Sequence, residues 1–390
     1  MRASSILTFV SLTSASLAWE WGKSGKWDHE QGASHRTATI NYTTISGFFQ
    51  QDDLATDAST FDYTKTNFGL IERSYPTDVK FDPHGKKTQW ERFTYYVDSL
   101  NRDCDSSSQY KVLFMARHGE GYHNAAESYY GTPAWNCYWG PLDGNGTVVW
   151  RDAHLTEAGI AQCTKAHEFW KQALTVARIP APQSYYSSPL ARSATTANLT
   201  FADLAPLLPR DRPFAPVIKE ALREGISIRT CDARSDRSAI SRALPGFRFE
   251  AGFAEHDGLW RGGEGEGETA EAQRRRTKDL LDGVFAGDES TWVSFTSHSG
   301  QIRVALDVLG HRKFGLSTGQ AIPALVKAQI LRGTGTTTTA GPGWTAEATC
   351  GAPPVTSVSG QGCVCSGAAS GLASATATAM DTATPTATVV

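Results

Sequence analysis

Three short apolar runs, "KVLFMA" at 111–116, "SYYSS" at 184–188 and "WVSFTS" at 292–297, are each followed by a polar turn and a helix-like segment. That alternation limits the fold more than any other feature. Runs of five or six strand-forming residues are too short for helices, and strands alternating with helices imply parallel pairing. The prediction is an α/β fold, a three-layer α/β/α sandwich whose central sheet is mostly parallel. A final run, "AIPALVKAQIL" at 321–331, is expected to close the sheet.

The helical segments carry their own signals. In "LTEAGIAQCTKAHEFWKQAL", Thr156 is placed to cap a helix, with Ile160, Cys163, His167, Trp170 and Leu174 spaced three and four apart on its apolar face. His167 and Cys163 therefore read as packing residues. Residues 19–110 hold many aromatics and turn residues without sustained periodicity, and are expected to form an N-terminal extension packed on the core. The opening "MRASSILTFVSLTSASLAW" has an early cation, an apolar run broken by Ser and Thr, and small residues before a cleavage point, which predicts a secretory signal peptide at 1–18. One catalytic domain then spans 19–345, and 346–390 is a Cys-containing, Ser/Thr/Ala-rich tail expected to be disordered.

A secreted chain makes the seven cysteines candidates for disulfides, with at least one unpaired because the number is odd. It also gives meaning to the sequons at Asn41, Asn145 and Asn198, of which Asn145, in the turn-like "LDGNGT", is the best glycan acceptor. Lys and Arg number 37 against 40 Asp and Glu, so there is no overall basic field to hold nucleic acid. No stretch after the signal is long and apolar enough for an integral membrane span. Any anion site must be built locally.

Ligands of parallel α/β sheets bind beyond the carboxyl ends of the strands, where helix N-termini point backbone N–H groups outward. Arg117-His118-Gly119-Glu120 follows the first run, Arg192 the second, and His298-Ser299-Gly300 the third. Two arginines and two histidines converging there would form an anion site with a nucleophile inside it.

The strings "RHGEGYHN", "LTEAG", "SPLARSATTA" and "SFTSHSG", in that order, resemble the histidine phosphatase superfamily, and its phosphoglycerate-mutase-like branch in particular. The "CDARSDRS" segment is similar to a fungal secreted subgroup. The resemblance covers roughly residues 111–330. It implies a phosphoglycerate-mutase-like fold and phosphoryl transfer through a phosphohistidine on His118, with Arg117, Arg192, Asn124, His298 and Ser299 around the phosphate. His298 would also supply a donor as charge redistributes in the transition state. Chemically, a neutral imidazole among cations can attack phosphorus in line, so one difficult hydrolysis becomes two transfers.

The leaving group needs a proton. By resemblance the acid falls on Glu224, with Glu220 one turn earlier if the segment is helical, and Asp257 of the His256-Asp257 pair stands in reserve. The expected function is hydrolysis of small phosphate monoesters without metal or organic cofactor. A phosphomutase and a non-catalytic phosphate-binding module of the same fold are the alternatives.

Overall fold

The computed structural model describes residues 39–331, 343–353 and 363–365. The expected signal peptide and the last 25 residues lie outside that set. In chain order the strands are β1 (Thr39–Thr44), β2 (Ser108–Arg117), β3 (Ser184–Ser187), β4 (Val217–Ile218), β5 (Arg248–Phe249), β6 (Glu266–Glu268), β7 (Trp292–Ser297), β8 (Ala321–Leu331) and β9 (Trp344–Ala346). The helices are α1 (Asp78–Phe81), α2 (Gln89–Asp103), α3 (Tyr122–Tyr130), α4 (Thr132–Ala134), α5 (Glu157–Gln172), α6 (Ala191–Phe201), α7 (Arg237–Ala243), α8 (Ala270–Gly287) and α9 (Ser299–Val308).

Seven strands form one sheet in the order β1-β8-β2-β7-β3-β4-β5. β2, β7, β3, β4 and β5 are mutually parallel, whereas β8 runs antiparallel to both β1 and β2. The three apolar runs are thus the adjacent central strands of a mostly parallel sheet. β7 is buried along its whole length and β2 from Lys111 to Met115, as strands covered on both faces must be. α5 packs on α6, α8 on α9, and α9 lies against β2.

Two expectations change here. "AIPALVKAQIL" is an interior strand, β8, and the edge beyond it is β1 from the N-terminal extension. The extension is therefore part of the core: Phe48, Phe49, Phe61, Phe68, Trp90 and Phe93 are all buried in it. Its helix α2 begins with a capping box, Thr88 accepting from the Glu91 N–H while the Glu91 carboxylate accepts from the Thr88 N–H. On α5, Thr156 caps as expected, and Cys163 and Trp170 are buried, but Ile160 is exposed.

The tail expectation is corrected at its beginning. β9 pairs with β6, and disulfides join Cys137 to Cys363 and Cys350 to Cys365. Cys104, Cys163 and Cys231 are unpaired.

Candidate active site

Strand register brings the chemistry together. Arg117 pairs with Ser297 across β2 and β7, and Ser187 with Thr296 across β3 and β7. The next residue in each strand continues the alignment: the His118 N–H donates to the Ser297 carbonyl at 3.0 Å, and the Ser188 N–H to that of Thr296 at 3.0 Å. Three strand ends thus deliver His118, Ser188 and His298 to one edge.

His118 is 2% exposed. Its Nδ1 lies 2.6 Å from the Gly119 carbonyl oxygen, an acceptor only, so Nδ1 carries the proton and the lone pair is on Nε2. Burial, then the Arg192 and Arg117 guanidinium groups, hold this imidazole well below the usual histidine range. It is neutral and available to attack.

His298 N-caps α9, with its ring centroid 5.0 Å from that of His118. His298 Nε2 lies between two hydroxyls, Ser188 Oγ at 2.8 Å and Ser193 Oγ at 3.2 Å, and Ser188 Oγ also accepts the Leu190 N–H at 3.3 Å. His298 Nδ1 is enclosed and has no protein partner. Burial, Arg192 and His118 keep this ring neutral as well.

Arg192, the second residue of α6, is 1% exposed. Its Nη1 donates to the Cys231 carbonyl at 2.7 Å, and Nη2 is 3.8 Å from Asp232 Oδ1. The "CDARSDRS" segment therefore aims this arginine. Asp152, which nothing in the sequence singles out, accepts from the Ala191 N–H at 2.8 Å and the Ser235 N–H at 2.9 Å, tying α6 to that segment.

Arg117 donates to the Leu316 carbonyl at 2.8 Å. It opens onto a cleft of about 720 Å³, whose wall also includes Glu224, Arg229, Gln273, Ser299 and Arg303. Glu224 accepts the Gly300 N–H at 3.0 Å, which seats its carboxylate at the N-terminus of α9 beside Ser299. Glu220 is not one helical turn before it: the local 3-10 turn ends at Leu222, and Glu220 pairs instead with Arg234 at 2.6 Å.

Asp257 faces other work. Both its oxygens accept from Arg223 at 2.8 Å, and one also accepts the Arg234 N–H at 2.8 Å. Burial alone would raise its pKa, but the Arg223 fork outweighs that and lowers it. A carboxylate held ionised by a buried arginine is a poor proton donor, so the reserve acid is a structural ion pair. His256 is 82% exposed and bonded to Asp236, away from that pair.

Asn124 uses Oδ1 to accept the Gly121 N–H at 3.1 Å at the start of α3, which leaves only its amide nitrogen for a phosphate. One residue earlier stands His123, which sequence reasoning misses although it lies inside "RHGEGYHN"; its ring is buried 5.4 Å from that of His118.

The "LTEAG" string also has a physical meaning. Thr156 Oγ1 donates to Glu120 Oε1 at 2.7 Å, the Thr156 N–H donates to the Glu120 carbonyl at 2.9 Å, and Gly159 lets the His118 loop lie directly on α5.

A family model of the histidine phosphatase superfamily (branch 1) matches residues 140–323. A protein of Arthroderma benhamiae named probable phosphoglycerate mutase is 47% identical over 291 residues, covering 74% of this chain and 85% of its own. The chain belongs to the histidine phosphatase superfamily. A second superfamily relative, named phosphomutase-like protein 3, from Candida albicans, is 34% identical over 287 residues, or 73% of this chain and 79% of its own. Among solved structures, a phosphoglycerate mutase from Thermus thermophilus aligns at 22% identity and a TM-score of 0.30 over 54% of this chain and 91% of its own.

Proposed function

We propose that the protein is a phosphomonoester hydrolase working through a phosphohistidine at His118. The observation that supports this is the tautomer of His118: the Gly119 carbonyl holds the Nδ1 proton, and burial, then Arg192 and Arg117, keep Nε2 unprotonated.

In the first half-reaction Nε2 attacks phosphorus, a P–N bond forms, and the P–O bond to the leaving group breaks as Glu224 gives that oxygen a proton. In the second, water attacks phosphorus and passes its proton to the Glu224 carboxylate. The P–N electron pair returns to Nε2 and inorganic phosphate leaves. In this scheme Arg117 and Arg192 grip the nonbridging oxygens, His298 adds a ring N–H donor, and Ser299 and the Asn124 amide are further donors to the same group.

A mutase would use the same first half-reaction and hand the phosphoryl group to an alcohol instead of water; the names of the two relatives favour this second reading. Phosphate release from sugar phosphates, nucleotides, phosphopeptides and inositol phosphates, with and without a polyol acceptor, separates the two. Hydrolysis predicts stoichiometric inorganic phosphate, whereas a phosphorylated acceptor with little free phosphate overturns the hydrolase reading. His118→Ala should abolish either.

Secretion is part of the proposal, supported by two disulfides of a kind that persist in oxidising compartments. The glycan acceptor in this proposal is Asn145, whose amide nitrogen would exchange its hydrogen bond to Tyr130 Oη, 2.9 Å long, for the glycan link. N-terminal sequencing of material from a eukaryotic host should find a mature end near Trp19 and glycan on Asn145; an unprocessed, unglycosylated chain overturns this part.

A further inference from the structure

His123 is a buried histidine that the scheme above does not use. It is the second residue of α3 and only 8% exposed, and its ring centroid is 5.4 Å from that of His118, nearly as close as His298 at 5.0 Å. No hydrogen bond to its ring occurs among the described residues, and its Nδ1 is enclosed without a partner. Nδ1 packs against Gly121, where a Cβ would stand 2.7 Å from it, so Nε2 is the nitrogen left for a ligand. The Gly121 amide is itself held by Asn124.

An imidazole with neither nitrogen partnered is unfavourable in a buried position unless a bound group completes it, here at Nε2. An imidazole kept only to fill space here would be better replaced by phenylalanine. We infer, resting on the phosphatase reading, that His123 is a third imidazole of the phosphoryl pocket, donating an N–H to a nonbridging oxygen of the transferring group alongside His298.

The chemistry fits. Three equatorial oxygens carry the charge of a phosphoryl group in flight, and donors already positioned around them act without reorganising. Burial, Arg192, His118, Arg117 and Arg229 all hold the His123 ring neutral, so it offers a donor without adding a cation to a site that already holds arginines. His118 and His298 are held neutral for similar reasons.

Two substitutions in the full-length protein test this, because contact and packing predict opposite orders. His123→Phe keeps the ring and removes both nitrogens, whereas His123→Asn keeps a donor and loses the ring. Phosphate contact predicts that His123→Phe lowers kcat by roughly 10²-fold on aryl and alkyl esters alike and weakens inhibition by inorganic phosphate, while His123→Asn recovers part of both. Packing predicts the reverse, and a folded His123→Phe within twofold of wild type overturns the inference.

Should neither variant fold, ¹⁵N-histidine NMR of the wild type decides. Adding inorganic phosphate should move the His123 ring nitrogens, and unmoved resonances overturn the inference. A wild type that neither releases nor binds phosphate removes the phosphatase reading and this inference with it. An active wild type with a neutral His123→Phe removes the inference alone.

Discussion

Gly159 and Glu120 meet backbone to backbone. A Cβ at Gly159 would run into the Glu120 carbonyl, with the Glu120 amide nitrogen 2.9 Å away, and a Cβ at Gly119 would sit 2.5 Å from the Gly159 carbonyl oxygen. The loop carrying His118 therefore rests on the first turn of α5 with no room for a methyl group. Gly159→Ala is expected to lower stability by about 1–3 kcal/mol through overpacking. Because the loop must shift to relieve it, kcat should fall by as much as ~10²-fold. Thermal unfolding and steady-state kinetics check both, and a variant unchanged in each would show that the loop is not held this way.

Glu224 and Asp257 should separate by leaving group. General acid catalysis matters most for alkyl esters, so Glu224→Gln is expected to slow an alkyl phosphate by about two to four orders of magnitude while affecting a nitrophenyl ester much less. Asp257→Asn should show no such selectivity. It should instead destabilise the fold by about 1–3 kcal/mol, because it removes the two-pronged carboxylate partner of the fully buried Arg223 and leaves Glu220 at 3.3 Å as its nearest remaining carboxylate. Leaving-group dependence in Asp257→Asn would reverse the assignment.

Stability should fall on acidification through the histidine range. His118, His123 and His298 are held neutral well below 6.5 in the fold, whereas the unfolded chain takes up protons as pH drops through 6.5. The unfolded state then binds more protons, so this contribution is complete above about pH 6.5 and lost below it. Each group can give a slope of at most about 1.4 kcal/mol per pH unit below the unfolded histidine range. Denaturant unfolding on the acid side of neutrality should show a shallower slope in His118→Asn than in the wild type. An unchanged slope would mean that these imidazoles charge readily in the fold.

The disulfides should hold the end of the described chain against the body. Cys137 and Cys363 are separated by 226 residues, and the Cys350 N–H donates to the Cys137 carbonyl at 2.8 Å. Cys137→Ser is expected to lower stability by roughly 2–5 kcal/mol. It should also expose the segment around β9 to proteolysis. Calorimetry and limited digestion, with and without reductant, check this; a wild type insensitive to reductant would contradict it.

From the sequence alone the central strands, the capped helix at Thr156 and the arrival of Arg117, His118, Arg192 and His298 at one sheet edge were readable. Each depends on local periodicity, or on the rule that parallel strands present their carboxyl ends together. The edge strand β1 and the interior place of β8 were not readable, because antiparallel pairing between Thr39–Thr44 and Val326–Leu331 joins segments far apart in the chain. Nor could spacing tell Glu224 from Asp257. Only the tertiary fold puts Arg223 against Asp257 and the Gly300 N–H against Glu224, which makes one carboxylate an ion-pair partner and leaves the other facing the cleft. His123 shows the same limit: the sequence places it five residues after His118, but its enclosed nitrogen and the distance between the two rings come from packing.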